Sequence, residues 1–489
     1  MRECRFEDIQ YLNVELPEDI LKKKYFGDFE GAARLIDIKL GQDIPDALRR
    51  KLLVEKEILH ILPKEYIYSF EEAMEKIRKK IPDFTEEEFR EREELGRIDW
   101  FYVNGEVRYI DSFLGTLLKT DASLAERARK AEEANADKVE GQTAAPVTKN
   151  LLDEAIAKMK EKGSLTCHFK IRGTIQIGEE AFVPGKKVKA WLPLPIDCIQ
   201  VKNPKVIKTE PEATYIAPET APQRTAYFEK VMTENTPFLV EYEYDNTVNY
   251  VDPKPEVVEE YRKGGEKPFP AFDPEKDLPG RGEPTLADIS EQAPHIVFTP
   301  YIRALKDEIA GDETNPLLLA RRFYDFVTTK VKYSFMREYF AIENIPEYAA
   351  LNNRADCGVQ ALLFITLCRC AGIPARWQSG LNARPDSVGS HDWAMFYVAP
   401  YGWMFNDCSF GGGAYRAGAL ERWNYYFCNL DPYRMPANCM FQAQFDPPYE
   451  HMRRDPYDNQ SGEMEYEDRG LRWYEVDRNR EILEAYLVE

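Results

Sequence analysis

Three residues in the stretch from Arg354 to Gly413 have the types and spacing that covalent acyl chemistry needs: Cys357, His391 and Asp407. A thiolate attacks a carbonyl, an imidazole takes the proton and later returns it to the leaving group, and a carboxylate on the other ring nitrogen fixes the tautomer. Of the five histidines, only His391 combines a predicted strand, a tryptophan two residues on (Trp393) and a downstream carboxylate. His60 and His168 lie in structural patterns, and His295 and His451 sit in proline-flanked connections.

The elements that must position these groups are legible in the same stretch. From Cys357 to Ala371 the chain is apolar and free of proline, then meets Gly372 and Pro374, which predicts a buried helix with a glycine stop. Asp356 is the expected N-cap, which puts Cys357 in the first turn, where unpaired N–H groups and the helix dipole favour a thiolate. Strands are predicted from Ala375 to Leu381, from His391 to Val398, and from Trp403 into Asp407. Pro400, Tyr401 and Gly402 make the last turn. His391 and Asp407 lie symmetrically about residue 399, so in an antiparallel hairpin they face each other on one side of the sheet. The rival carboxylates are weaker: Asp392 points to the opposite face from His391, and Asp386 lies in a loop.

These residues resemble the transglutaminase-like superfamily, whose papain-like core uses Cys, His and Asp in this chain order. The resemblance is carried by Asp356-Cys357-Gly358, by Leu367-Cys368-Arg369 followed by Ala371-Gly372-Ile373-Pro374-Ala375-Arg376, by His391 with Trp393, and by Gly402-Trp403 before Asp407. It covers about Pro316 to Asn438 and implies thioester chemistry on an amide or ester, with Cys357, His391 and Asp407 as the catalytic residues. The family includes proteases, amide hydrolases and protein cross-linkers, so water and an amine both stand as acyl acceptors. Bacterial members often carry a preceding β-domain, which the alternating text upstream fits.

Composition bounds the remaining choices. A chain of 489 residues is too long for one ordinary core. The formal charge of −20 argues against nucleic acid or an anionic membrane as partner and admits a basic or neutral substrate more easily, which the resemblance implies is a peptide or protein amide. Nine cysteines with no repeated pairing distance, and a charged N-terminal stretch where a signal peptide has an apolar run, point to a reducing, cytoplasmic setting. No run of eighteen apolar residues spans a membrane. Oligomeric state is not legible.

The expected fold class is α+β and multidomain: a papain-like transglutaminase core preceded by a β-sandwich and an N-terminal helical domain. Residues 1–141 read as mainly helical, interrupted by a hairpin around Asn104-Gly105. Residues 142–252 read as a β-sandwich with a leading helix, with LTCHFKIRGTIQI and FLVEYEYD alternating. Residues 253–284 form a Pro/Gly-rich connection and 285–440 the catalytic core. Residues 441–489 read as an acidic extension, either a solvated tail anchored by Trp473, Tyr474, Tyr486 and Leu487 or a flap over the cleft, and the tail is the favoured reading.

No metal and no cofactor are expected. Cys357 and Cys368 would stand about 16 Å apart along one helix, and Cys370 points away from Cys368, so these thiols do not share a zinc ion. Arg354, Arg376 and Arg384 read as structural ion-pair partners, and Trp377, Trp393 and Trp403 fit a substrate-groove wall and core packing equally well. The expected function is a cysteine-dependent amide hydrolase, with amine transfer at the same triad as the alternative. An arylamine acetyltransferase is opposed by the upstream domains and the GIPAR text, and a noncatalytic scaffold by the intact Cys, His and Asp.

Overall fold

A computed structural model describes residues 3–136, 151–265, 268–274 and 276–488. The chain divides into two compact units. The first comprises Met1–Lys149 together with Val331–Asn344 and Tyr348–Asp356; the second comprises Asn150–Lys330, Ile345–Glu347 and Cys357–Glu489. The expected boundary near residue 141 lies outside the described residues. The membership of 331–344 and 348–356 in the first unit was not legible, because it depends on which distant surface these short segments cover.

The first unit is mainly helical, with Asp46–Glu65 its longest helix, and it carries a small sheet. Phe70–Lys80 begins at a reciprocal cap in which Ser69 and Glu72 satisfy each other's backbone N–H groups. The predicted hairpin pairs Trp100–Val103 with Glu106–Ile110, with Asn104 and Gly105 both at positive φ, the backbone that a two-residue I′ turn requires. Tyr66–Tyr68 adds a third strand. The two inserted segments pair with each other, Lys332–Tyr333 running parallel to Arg354–Ala355, and Arg354 donates to Asp99 at 2.6 Å.

The second unit contains three larger sheets. Two are four-stranded and antiparallel: Glu463–Tyr466, Lys187–Pro193, Thr225–Val231 and Tyr215–Ile216 in one, and Val476–Val488, Ser164–Ile177, Phe238–Asn249 and Val201–Glu210 in the other. Ser164–Ile177 shows why the alternation was readable: every second side chain is buried along its length. Each of these sheets takes one strand from the C-terminal region, which corrects the reading of 441–489 as a solvated tail. Val476–Val488 pairs with Ser164–Ile177 from Val476↔Ile177 to Val488↔Thr166, and Glu481 and Glu484 lie across from Arg172 and Lys170, with Arg172 meeting Glu481 at 3.1 Å. Charge hid a strand whose stabilisation comes from backbone pairing across some three hundred residues.

The third sheet carries the candidate site. Its five antiparallel strands run in the order Phe427–Cys428, Gly402–Asn406, Ser387–Val398, Ala375–Arg384, Arg434–Asn438. The helix Cys357–Cys370 is buried continuously from Gly358 to Arg369 and ends before Gly372 at φ +78. It packs on the sheet through contacts such as Phe364 against Phe396, ring centroids 5.7 Å apart. The segment expected as an irregular connection, 253–284, includes a helix, Pro255–Arg262, opened by proline at its first position. Arg376 is the structural partner the sequence suggested, bonding both oxygens of Asp288 at 2.7 and 2.9 Å.

Candidate active site

Cys357 is the first residue of the buried helix and is partly accessible, so the sulfur lies at the end of a rigid rod with its first-turn backbone donors beside it. His391 stands on the central strand Ser387–Val398, opposite Gly380 of the neighbouring strand. Gly380 has φ +157, and a Cβ there would fall 1.9 Å from the Met435 carbonyl oxygen. Only glycine allows the edge strand to approach this closely.

Asp407 and His391 come together as expected: Oδ2 lies 2.8 Å from Nε2, with both side chains buried. The route differs from the predicted one. The hairpin register is Ala394↔Asn406 through Val398↔Gly402, centred on residue 400 and not 399, and the strand ends at Asn406. Asp407 is therefore not a strand residue facing His391. It is the N-cap of the helix Cys408–Arg416, its Oδ1 accepting the Phe410 N–H at 2.8 Å while Oδ2 faces the imidazole. Capping fixes the carboxylate more tightly than a strand position would, because one oxygen is tied to the backbone and the other is left aimed.

Arg434, fully buried, completes this cluster. Its Nη1 lies 2.9 Å from Asp407 Oδ2, its Nε 3.1 Å from Asp431 Oδ2, and its guanidinium carbon 4.3 Å from the centre of the Phe410 ring. Burial alone would push the Asp407 carboxyl up, but the His391 and Arg434 charges and the two hydrogen bonds outweigh it and hold the carboxyl below its ordinary value. For His391 burial wins over the Asp407 charge, and its pKa is lowered, which favours the neutral ring. With Nε2–H donated to the carboxylate, Nδ1 is the acceptor of the neutral imidazole.

The sulfur of Cys357 donates to Asp392 Oδ2 at 3.1 Å. The His391 ring lies 4.6 Å from Phe410 and 6.0 Å from Trp393. Asp392, which the sequence set aside as the partner of His391, is instead the partner of the thiol, while Asp407 meets the imidazole. Asp392 is anchored in turn by Gln460, whose Nε2 donates to Asp392 Oδ1, to Asp458 Oδ2 at 2.8 Å and to the His391 carbonyl at 3.4 Å. Ser390 is held by Arg480 of the C-terminal strand at 2.8 Å. Asp392 stands next to the histidine in sequence and was weighed; Arg434, Gln460 and Arg480 left no local signal, being 43 to 89 residues beyond His391.

Among the described residues, no group of three or more His, Cys, Asp or Glu side chains could hold a metal ion, and no helix is long and apolar enough to cross a membrane. Arg354, Arg376 and Arg384 all bond to protein groups: Asp99, Asp288 and Ser387. Trp377 and Trp393 are buried, with Trp393 Nε1 donating to Gln378 at 2.6 Å.

The site thus places a cysteine at the head of a helix packed on an antiparallel sheet that carries a His–Asp pair. Residues 303–408, which include Cys357, His391 and Asp407, match the model of the Transglutaminase-like superfamily. The match supports a cysteine-type enzyme at the family level. No curated protein sequence matches the chain. Among solved structures it is similar to a protein of Cytophaga hutchinsonii described as a proposed cysteine protease, with 12% identity, 66% of this chain and 90% of that chain covered, and a TM-score of 0.36. It is also similar to the periplasmic domain of TgpA from Pseudomonas aeruginosa, in the form bound to ethylmercury, at 12% identity, with 52% and 93% covered and a TM-score of 0.24. A second structure of that domain gives 12% identity, 52% and 96% covered and a TM-score of 0.23.

Proposed function

We propose that the chain is a cysteine-dependent amide hydrolase acting on a peptide or protein through a thioester on Cys357. The observation that carries this reading is the His391–Asp407 pair at 2.8 Å inside the matched core, with Cys357 at the head of its buried helix. The S–H proton leaves its hydrogen bond to Asp392 and passes to Nδ1 of His391 as the sulfur attacks the amide carbon. The oxyanion of the tetrahedral intermediate is met by the backbone N–H of Cys357 in the first turn of its helix. Collapse breaks the C–N bond, the amine leaves with the proton from His391, and a thioester remains. Water then attacks with His391 as base, releasing the carboxylic acid and restoring the thiol.

Asp407 does not exchange a proton in this cycle. It orients the ring and stabilises the imidazolium while it lasts, and Arg434 keeps it ionised. Amine transfer uses the same thioester with a different second nucleophile. The experiment that decides is mass spectrometry of a glutamine-containing peptide pool with a labelled primary amine present, using the wild type and Cys357→Ala. Products carrying the mass of water and absent with Cys357→Ala support hydrolysis; label in the product reassigns the chain to acyl transfer; identical spectra from both proteins sink the thioester.

A further inference from the structure

Arg369 lies in the last turn of the helix that Cys357 heads, about 18 Å along the axis from the sulfur at 1.5 Å per residue, and so outside the site described above. It is 8% exposed. A guanidinium has five N–H donors. One, on Nε, goes to the Ala375 carbonyl at 2.9 Å and one, on Nη1, to the Ser290 carbonyl at 3.2 Å. The remaining donors, along the outer Nη edge, have no partner among the described residues.

The carboxylate of this cluster, Asp288, is fully engaged by Arg376, which also donates to the carbonyls of Pro279, Gly282 and Glu283. Two buried guanidinium groups therefore share one carboxylate, and one positive charge is left without a counter-ion. Burial drives the Arg369 pKa down to about 10, the direction taken by a cation that lacks one. Burying an unpaired charge is costly enough that proteins pair it or bind its complement.

Arg369 faces a cavity of about 90 Å³, whose walls include Gln292, Ile296, Trp377 and Phe441. That is the share of roughly three water molecules. We propose that this cavity is a binding site for a small aliphatic monocarboxylate, held by the outer N–H edge of Arg369 with its alkyl group against Ile296, Trp377 and Phe441. A carboxylate matches the planar fork and balances a single charge. A doubly charged phosphate would overbalance it, and a halide would leave the aromatic wall unused.

The full-length protein is titrated with sodium propionate at constant ionic strength by isothermal titration calorimetry and thermal shift, with sodium chloride as the parallel arm. Saturable one-site binding of propionate, tighter than chloride, is expected, with affinity lowered at least tenfold in Arg369→Gln. Should Arg369→Gln not fold, Ala287→Trp decides, since Ala287 is an exposed residue of the cavity wall and the indole narrows the opening without removing a buried contact; it too is expected to lose at least tenfold. Chloride binding as tightly as propionate overturns the carboxylate assignment. Absence of saturation, or equal affinity in wild type and variants, overturns the site.

Discussion

The thiol of Cys357 and the carboxylate of Asp392 are hydrogen-bonded at 3.1 Å, so the sulfur rests as a proton donor to an acid beside the histidine proposed to activate it. A neighbouring carboxylate opposes a second negative charge. Asp392→Asn removes that opposition while keeping an acceptor oxygen. Alkylation of Cys357 by iodoacetamide at pH 7 should then be about tenfold faster, the scale of one interacting charge, with turnover preserved. A large fall in turnover would instead make Asp392 the group that takes the thiol proton.

Asp407→Asn keeps an oxygen able to cap the Phe410 N–H but withdraws the charge that holds the ring and its tautomer. The expected loss in kcat is about 10²- to 10⁴-fold. In the wild type the lowered pKa of His391 keeps the base neutral in mild acid, so the acid limb of kcat/KM should fall below pH 6.5. An acid limb at or above 6.5 would count against His391 as the base.

Arg434→Met leaves Asp407 and Asp431 facing each other in the core without a cation. Breaking one partner out of a buried charge cluster costs about 3–5 kcal/mol, and equilibrium urea unfolding should show a loss of that order. Activity should fall further than stability explains, because the carboxylate facing His391 loses the charge that keeps it ionised.

His295 is a stability switch remote from catalysis. Its Nε2 meets the Tyr457 hydroxyl at 2.6 Å, its Nδ1 accepts the Ile345 N–H at 3.3 Å, and burial lowers its pKa to about 3. The fold favours the neutral ring, so this contribution is complete above the unfolded value near 6.5 and is lost as pH falls from there towards 3, at up to about 1.4 kcal/mol per pH unit. The difference in unfolding free energy between wild type and His295→Gln should shrink over that interval; a difference independent of pH would refute the assignment.

Truncation after residue 475 removes the strand Val476–Val488 and with it the pairing of one whole edge of Ser164–Ile177. The exposed edge is a template for association. The truncated chain should aggregate or lose a cooperative thermal transition, and should lose activity through the Arg480–Ser390 contact beside His391. A chain ending at 475 that stays monomeric and active would make the strand dispensable.

The elements around the candidate site were legible because each is specified locally. The apolar run from Cys357, ended by Gly372 and Pro374, gave a helix within a residue of Cys357–Cys370; two strands were found with one end short by a few residues, and the third overran its end at Asn406 into Asp407. Asp407 was reached through a register one residue off, since turn geometry, which sets register, is not a property of strand alternation. The 441–489 segment was misread for a related reason: composition reports solvent preference, whereas an edge strand is stabilised by its partner's backbone.

What the sequence determined by itself, then, was the chemistry available: a cysteine at a helix start, a histidine on a strand, a carboxylate after the next turn, and the periodicities that build those elements. What only the tertiary structure decided was which groups the reacting atoms meet. Asp392 for the thiol, Arg434 for the carboxylate of Asp407 and Gln460 for Asp392 are brought in by packing between segments far apart in the chain. Local periodicity fixes which face a side chain takes, but not what is folded against that face.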